Sequence, residues 1–264
     1  MIKNTATMEN GLCSVLHGKP DAPAAGGRSM AVEDYKKAQK ELYSPPGEPH
    51  IITVPPMKFI MIDGCGNPNE EEGEYAKAVE VLYALSYTIK MSKKTDMIIA
   101  GYEDFVVPPL EGLWWIGKKE KQTKEFDASQ KSKYNWISMI RQMDFVTEEV
   151  FNLAAAAAVQ KNSKKNPELS RRIEAYLSDG RLRLETYDEG LCLQCMHKGP
   201  YDEEPETIAK MDAFMKMHSE YKNAIGSKNS TGQILCHHEI YLNDPRKTKP
   251  EGIRTVLRHP VVKV

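Results

Sequence analysis

The chain contains 264 residues, of which 41% are hydrophobic, and 36 Lys and Arg balance 37 Asp and Glu to a formal net charge of −1. This near-neutral balance lacks the basic surplus typical of proteins that bind nucleic acids directly. No apolar run approaches the roughly 18 to 20 residues that a membrane-spanning helix needs. Composition therefore argues against nucleic acid and membrane as direct partners and is typical of a soluble, folded chain.

The start of the chain differs in character from the rest. Residues 1–30 contain Gly, Ala and Pro clusters, without the charged start and apolar core of a signal peptide. We expect residues 1–30 to be a disordered leader and residues 31–264 to form one domain. A short helical pattern over 31–43 ends at the breaker cluster of 44–47.

A first unit is predicted over about residues 50–143. It begins with an apolar strand that Pro55 and Pro56 interrupt, and an acidic run then favours a helix N-terminus. This helix is predicted to have one apolar face, because apolar residues recur at three- and four-residue steps: Tyr75, Val79, Leu82, Leu85 and Ile89. Two further extended segments follow, over 106–116 and 134–141, with a charged loop between them.

Two connecting helices are predicted over about residues 147–180, after which the order of elements repeats. The second unit, about residues 181–264, begins with one or two strands and continues with a helix, a strand and a return strand. Its helix opens at the acidic residues 202–206. The predicted fold class is therefore α+β, with a duplicated strand-helix-strand-strand unit.

Five cysteines, an odd number, are scattered along the chain, which indicates a reducing compartment such as the cytoplasm. Cys192 and Cys195 have the spacing of metal ligands, but their segment is short and apolar and predicts a strand. Residues three apart on a strand face opposite sides, so we expect core thiols and no zinc site. His237 and His238, as strand neighbours, are expected to face opposite sides by the same argument.

Two carboxylates in the predicted sheet are candidates for chemistry. Alternation places His237, Glu239 and Tyr241 on one side of their strand. Glu111 lies on the first strand after the first unit's helix, so the order of elements places it in a position equivalent to that of Glu239. A carboxylate among aromatic side chains is costly unless it has a partner or meets a cavity, where it can act as a base or hold a cation. The alternative is that each glutamate lies on a solvated sheet face.

All three tryptophans of the chain and one tyrosine lie on two predicted strands joined by one loop: Trp114, Trp115, Tyr134 and Trp136. They either pack in a core or line a cleft for flat organic molecules and cations, and strand composition does not decide between the two. The signatures of common nucleotide, zinc and serine-hydrolase sites are missing from the sequence. We therefore expect no cofactor and no metal.

Several sequence strings together carry a resemblance to a known family. They are LYALSYTIK in the first long helix, PPLEGLWWI, and HHEIYLNDPRKTKPEGIRTVLRHPV near the C-terminus, combined with the duplicated unit. From about Lys40 onward the chain resembles the GyrI-like small-molecule-binding family, whose module also serves as the effector-binding domain of drug-sensing transcription activators. The resemblance implies a pseudo-twofold axis between the units, an aromatic-lined cleft between them, and a glutamate near its base, here Glu239.

The resemblance also implies a range of functions. Stand-alone members similar to this chain hydrolyse cyclopropane-bearing, DNA-alkylating natural products, and others sequester drugs. We therefore expect a cytoplasmic, cofactor-independent detoxifying hydrolase of hydrophobic, electrophilic small molecules, with Glu239 as general base and Glu111 as the weaker candidate. The residues expected to bind the substrate are Trp114, Trp115, Trp136, Tyr134, Tyr241 and His237.

Two other functions stay open at this point. One is a non-catalytic binder of lipophilic cationic drugs, in which Glu239 supplies the counter-charge and the aromatic residues supply cation-π contacts. The other is a ligand-sensing regulator that acts through a protein partner. A transcription activator would need a helix-turn-helix domain, and residues 1–47 contain only one short helical pattern.

Overall fold

The computed structural model of the chain describes residues 32–119 and 128–264. The expected leader over residues 1–30 lies outside the described residues, as do residues 120–127 of the charged loop. Within the described ranges, no helix is both long enough and apolar enough to cross a lipid bilayer.

The described residues form nine strands and six α-helices. The strands are β1 (His50–Val54), β2 (Met57–Cys65), β3 (Leu110–Ile116), β4 (Tyr134–Arg141), β5 (Leu182–Tyr187), β6 (Gly190–Lys198), β7 (Tyr221–Asn223), β8 (His237–Tyr241) and β9 (Arg254–Lys263). The helices are α1 (Tyr35–Ala38), α2 (Lys40–Tyr43), α3 (Glu74–Met91), α4 (Glu148–Lys165), α5 (Pro167–Ser178) and α6 (Glu204–Met217). Pro55 and Pro56 separate β1 from β2 completely, because proline has no N–H to donate to a strand ladder.

The strands join in one sheet with the order β1-β6-β9-β8-β3-β4-β2-β5, and β7 pairs with β9. The first unit supplies β3, β4 and β2, and the second supplies β8, β9 and β6, so the order is symmetrical about the contact between β3 and β8. In the first unit α3 leads from β2 to the central strand β3, and in the second unit α6 leads from β6, by way of the short strand β7, to the central strand β8. The α+β class, with its duplicated unit and pseudo-twofold arrangement, is confirmed.

The outer strands are exchanged between the two halves of the sheet. β1 precedes β2 in sequence but pairs with β6, where His50 lies opposite Gln194. β5 precedes β6 but pairs with β2, where Met57 lies opposite Tyr187. β1 is next to β2 in sequence but completes the half of the sheet that contains β6, and β5 is next to β6 in sequence but completes the half that contains β2. This exchange ties the two units together.

Local sequence signals set the ends of the connecting helices. At the start of α4, the side chain of Thr147 accepts a hydrogen bond of 3.3 Å from the N–H of Val150, and at the start of α5 Asn166 accepts one of 3.2 Å from Leu169. Gly180 follows α5 with a φ of 77°, a conformation that other residues rarely adopt. Both helices pack against α3 and against each other.

The two cysteines with metal-ligand spacing face opposite sides of β6. Cys192 is buried in the main core, whereas Cys195 lies in a smaller second core with Met211 and Leu257. The strand prediction for this segment is confirmed, and the sheet itself separates the two side chains.

A set of buried charges, the His238 cluster, fastens α2 to the sheet; its members are Glu111, Glu189, His238 and Arg258. His238 lies between two acids: its Nε2 is 3.0 Å from Oε2 of Glu111, and its Nδ1 is 3.0 Å from both carboxylate oxygens of Glu189. Nη1 of Arg258 lies 3.6 Å from Oε2 of Glu189, and Nη2 donates a hydrogen bond of 2.6 Å to the carbonyl oxygen of Leu42. All four charged side chains are buried, and their charges balance, which offsets the cost of removing them from water.

The neighbouring charges shift the protonation of His238. Burial by itself lowers the pKa of His238, but the negative charge of Glu189 and the hydrogen bonds with both glutamates outweigh burial and raise the pKa to about 9. Burial raises the pKa of Glu189, but the charge of His238 and the hydrogen bond with it bring that pKa below its ordinary value. His238 is therefore a cation at neutral pH.

We predict that the free energy of unfolding falls as the pH rises through about 9. Because the pKa of His238 is raised from 6.5 to about 9 in the folded protein, its contribution is fully present below the unfolded value and is lost as folded His238 deprotonates. Denaturant unfolding of the wild type between about pH 6 and pH 10 should show a loss of about 3 kcal/mol, because each pKa unit corresponds to about 1.4 kcal/mol.

His238→Gln should be less stable than the wild type at neutral pH and should lose most of this pH dependence. The control His218→Gln, at the half-buried end of α6, should keep the slope of the wild type. A wild-type stability that is flat over this pH range would contradict the assignment.

Candidate functional site

A cavity of about 700 Å³ lies between α3 and α6, over the face of the sheet where β3 and β8 meet. Side chains from both units line it, including Tyr75, Val79 and Tyr83 of α3, Glu204 and Ile208 of α6, Trp114 of β3, and His237, Glu239 and Tyr241 of β8. Pockets that hold drug-sized molecules have volumes of about 300 to 1,000 Å³. The cleft between the two units is thus large enough for a small organic molecule.

Of the eight side chains predicted from the sequence, five line this cavity: Trp114, Tyr134, His237, Glu239 and Tyr241. The other three, Glu111, Trp115 and Trp136, are not among the described residues that line it. On β8 the predicted alternation holds, since residues 237, 239 and 241 share the cavity face and His238 lies on the other.

Glu239 is held at the base of the cavity by hydrogen bonds to both of its oxygens. His237 Nε2 lies 3.0 Å from Oε1, and the hydroxyl of Tyr241 donates a bond of 2.6 Å to Oε2. The indole N–H of Trp114 donates in turn to the Tyr241 hydroxyl at 2.9 Å. Burial raises the pKa of Tyr241 well above its usual range, and the charge of Glu239 raises it further. Tyr241 therefore stays a neutral donor and fixes the direction of the carboxylate.

A glycine makes room for this arrangement. Gly112 of β3 pairs with Glu239 of β8. A Cβ atom at Gly112 would lie 2.6 Å from Nε1 of Trp114 and 3.3 Å from the hydroxyl of Tyr241. The indole reaches Tyr241 because this position carries no side chain.

A second histidine extends the contacts of Glu239 away from the cavity. Nδ1 of His237 lies 2.8 Å from Nε2 of His259, a buried residue of β9. One of these two nitrogens carries the proton that they share, so a hydrogen-bonded chain leads from His259 through His237 to Glu239.

Over the part of the chain that the structure describes, no group of three or more His, Cys, Asp and Glu is placed to hold a metal ion.

Glu204 is a cavity residue that the sequence reasoning missed. It lies in the first turn of α6, is buried, and lines the cavity beside Glu239. Burial raises its pKa well above the ordinary value, and the negative charge of Glu239 raises it further. Two neighbouring carboxyl groups are more stable when one of them keeps a proton, and the raised pKa favours the protonated form of Glu204. We call Glu204 and Glu239 the carboxyl pair.

The sequence contains a pattern from which the inward position of Glu204 could have been predicted. It stands in an acidic run, which is typical of an exposed helix N-terminus. However, Glu204 precedes Ile208 by four residues and Met211 by seven, which places it on the inward face of the helix.

The aromatic residues separate into cavity wall and core. In the wall, the ring centres of Tyr75 and Trp114 are 5.2 Å apart. Trp136 is buried behind Tyr75, at 5.1 Å, and packs over Gly64, where a Cβ atom would lie 2.1 Å from its ring. Trp115 lies outside the cavity lining, and the Nζ of Lys119 is 4.9 Å from its ring. Core packing therefore accounts for Trp136, and tyrosines supply much of the cavity wall.

Glu111 does not occupy a position equivalent to that of Glu239. The register pairs Glu111 with Ile240, and Glu239 with Gly112. Cross-strand partners share a face of the sheet, so the two carboxylates point to opposite faces. The expected equivalence is corrected: Glu111 belongs to the His238 cluster, where it also accepts a hydrogen bond of 3.4 Å from Tyr43.

Comparison with known proteins places this architecture in a family. The model of the GyrI-like small molecule binding domain matches residues 47–262. A search of curated proteins finds no significant match. Among solved structures, an uncharacterized conserved protein from Listeria innocua is 44% identical, with a TM-score of 0.72, over 87% of this chain and 100% of that one.

Two further structures from the same organism are each described as a hydrolase. One is 43% identical with a TM-score of 0.70, over 88% of this chain and 100% of its own. The other is 42% identical with a TM-score of 0.69, over 87% of this chain and 100% of its own. Together with the duplicated fold and its central cavity, these matches show that the chain belongs to the GyrI-like family of small-molecule-binding domains.

Proposed function

We propose that the protein is a cofactor-independent hydrolase that detoxifies hydrophobic, electrophilic small molecules. The proposed substrates carry a cyclopropane ring conjugated to a carbonyl group. The observation that carries this proposal is the Glu239 carboxylate at the base of an aromatic cavity, with Tyr241 and His237 at 2.6 and 3.0 Å. The Listeria innocua relatives described as hydrolases add support for a hydrolytic reaction.

In the proposed reaction Glu239 accepts a proton from water, and the water oxygen attacks the methylene carbon of the strained ring. A carbon–carbon bond of the ring breaks, and its electrons move into the conjugated carbonyl, which becomes a phenolate. The phenolate then takes up the proton that Glu239 accepted, which gives the phenol and regenerates the carboxylate. A positioned general base contributes about 10² to 10⁴-fold to the rate. The hydrogen bonds from Tyr241 and His237 fix the carboxylate in advance, so little reorganisation is needed when the water reacts.

The aromatic wall would hold the flat, conjugated part of such a compound. Tyr75 and Trp114 form one side, and Tyr201 meets Tyr241 edge to face, with ring centres 5.7 Å apart. Flat organic molecules stack on aromatic faces and displace water from them. Binding on this wall would bring the reacting carbon next to Glu239, which lines the same cavity.

Glu239→Gln tests the role of the carboxylate. Glutamine keeps the size of the side chain but cannot accept the proton, so kcat for a spirocyclopropyl cyclohexadienone should fall by about 10²-fold or more. Affinity for the hydrolysed phenol should stay within about threefold. Chromatography measures product formation and calorimetry measures affinity. The control Glu251→Gln, at an exposed position, should behave as the wild type, and unchanged turnover in Glu239→Gln would contradict the mechanism.

A carboxylate surrounded by aromatic rings also favours a second function, the sequestration of lipophilic cations. There Glu239 supplies the counter-charge, and Tyr75 and Trp114 supply cation-π contacts. In that case the wild type does not turn over the dienone. Glu239→Gln then weakens the binding of tetraphenylphosphonium by about 5- to 30-fold, which corresponds to one or two kcal/mol.

A general base also predicts the source of the new oxygen atom. In a single turnover in ¹⁸O-labelled water, with the enzyme in excess, the product alcohol should carry the label because water attacks the ring directly. If Glu239 attacked the ring itself, the ester intermediate would leave an unlabelled carboxylate oxygen on the product. Mass spectrometry of the first-turnover product distinguishes the two, and unlabelled alcohol would contradict the general-base role.

A further inference from the structure

The two members of the carboxyl pair reach the cavity from different elements of the fold. Glu239 lies on β8 and Glu204 on α6, and both line the cavity. Glu204 is only 7% exposed. Its Oε1 is buried and has no hydrogen-bond partner among the described residues. The cavity lining therefore contains a buried carboxyl group with the hydroxyl of Thr255 and the carboxylate of Glu239 beside it.

The pair is most stable with one proton. Glu204 and Glu239 line the same cavity, and a carboxylate has no donor of its own, so the two side chains form a hydrogen bond only when one of them carries a proton. Asp202, Tyr201 and Tyr241 also lie near Glu204, and none of these three can neutralise a carboxylate with a positive charge. Lys131, a cation of the cavity lining, is paired with Asp202 at 2.8 Å. The proton remains on the more buried member, Glu204, and an acid and a base stand side by side at the base of the cavity.

We propose that Glu204 is a general acid and that the carboxyl pair gives this cavity a second activity, the hydrolysis of aromatic epoxides. The inference rests on the proposed role of Glu239 as the base. Glu239 accepts a proton from water, and the water oxygen attacks one ring carbon of the epoxide. The bond from that carbon to the ring oxygen breaks, and Glu204 gives its proton to the departing oxygen.

The proton balance of this reaction closes within the pair. The product is a vicinal diol, which contains all atoms of the epoxide and of one water molecule. Glu239 ends the step protonated and Glu204 ends it ionised. The proton then returns from Glu239 to Glu204 through the hydrogen bond that joins them, so the pair regains its starting state without an external acid, base or cofactor.

The two substrate classes need Glu204 to different extents. When the conjugated cyclopropane opens, its electrons are delocalised into the carbonyl, and the resulting oxyanion is a weak base. The oxygen of an epoxide instead leaves as an alkoxide, a strong base that requires a proton as the bond breaks. Glu204 is therefore essential for the epoxide and of minor importance for the cyclopropane.

The proposal is tested by measuring kcat for two probes, styrene oxide and a spirocyclopropyl cyclohexadienone. The measurement is made on the full chain, on its Glu204→Gln variant and on a control variant. Glutamine keeps the size of Glu204 and still donates a hydrogen bond to Glu239, but it cannot give up a proton to the substrate. We expect kcat for styrene oxide to fall by about 10²-fold or more relative to kcat for the dienone. Glu206→Gln, an exposed position in the same turn of α6, should leave both unchanged.

A pH profile of the wild type gives a measurement that needs no variant. The kcat for styrene oxide should fall at high pH as Glu204 loses its proton, whereas kcat for the dienone should not. The inference is overturned if the wild type hydrolyses the dienone but not styrene oxide, or if Glu204→Gln leaves the epoxide rate unchanged or slows both substrates equally. Each of these results leaves the proposed function standing, whereas a wild type that hydrolyses neither probe overturns that function itself.

Discussion

The antiparallel pairing of β3 with β8 is the contact on which the rest of the site depends. It joins the two units at the centre of the sheet, and its register places Gly112 opposite Glu239 and Trp114 opposite His237. Because cross-strand partners share a face, this register directs Trp114 and Glu239 into the same cavity. A slip of β8 by one residue would turn Glu239 toward the core and His238 toward the cavity.

The buried glutamates on the two faces of this strand pair have different neighbours. On the core face, Glu111 and Glu189 are matched by the cations His238 and Arg258, and such balanced charges stabilise a structure without reacting. On the cavity face, burial and the charge of Glu239 raise the pKa of Glu204 well above its ordinary value, which favours the protonated form. A carboxyl group can transfer its proton to a bound molecule, whereas an arginine side chain does not, so the groups on the cavity face suit acid and base chemistry.

Two glycines determine where two tryptophan side chains lie: Gly64 on the strand next to Trp136, and Gly112 on the same strand as Trp114. Trp136 lies over Gly64 and packs into the core, where it supports Tyr75 from behind. Trp114 extends over Gly112 and reaches the hydroxyl of Tyr241. Each indole occupies the space that a side chain at the glycine position would fill, so the packing of both tryptophans depends on the absence of a side chain there.

By itself the sequence determined the type and order of the elements, the repetition of the strand-helix-strand-strand unit and the alternation that puts His237, Glu239 and Tyr241 on one face. These properties follow from periodicity and caps within a few residues, which a single chain displays locally. Only the tertiary structure decided the exchange of β1 and β5, the opposite orientation of Glu111, and the approach of Glu204 to Glu239. Each of these depends on the docking of distant segments, as in the contact between Glu111 and His238, 127 positions apart. No local pattern encodes the register between such strands, because alternation along one strand does not say which residue of the other strand lies opposite. A shift of one residue would exchange the two faces while leaving the alternation unchanged.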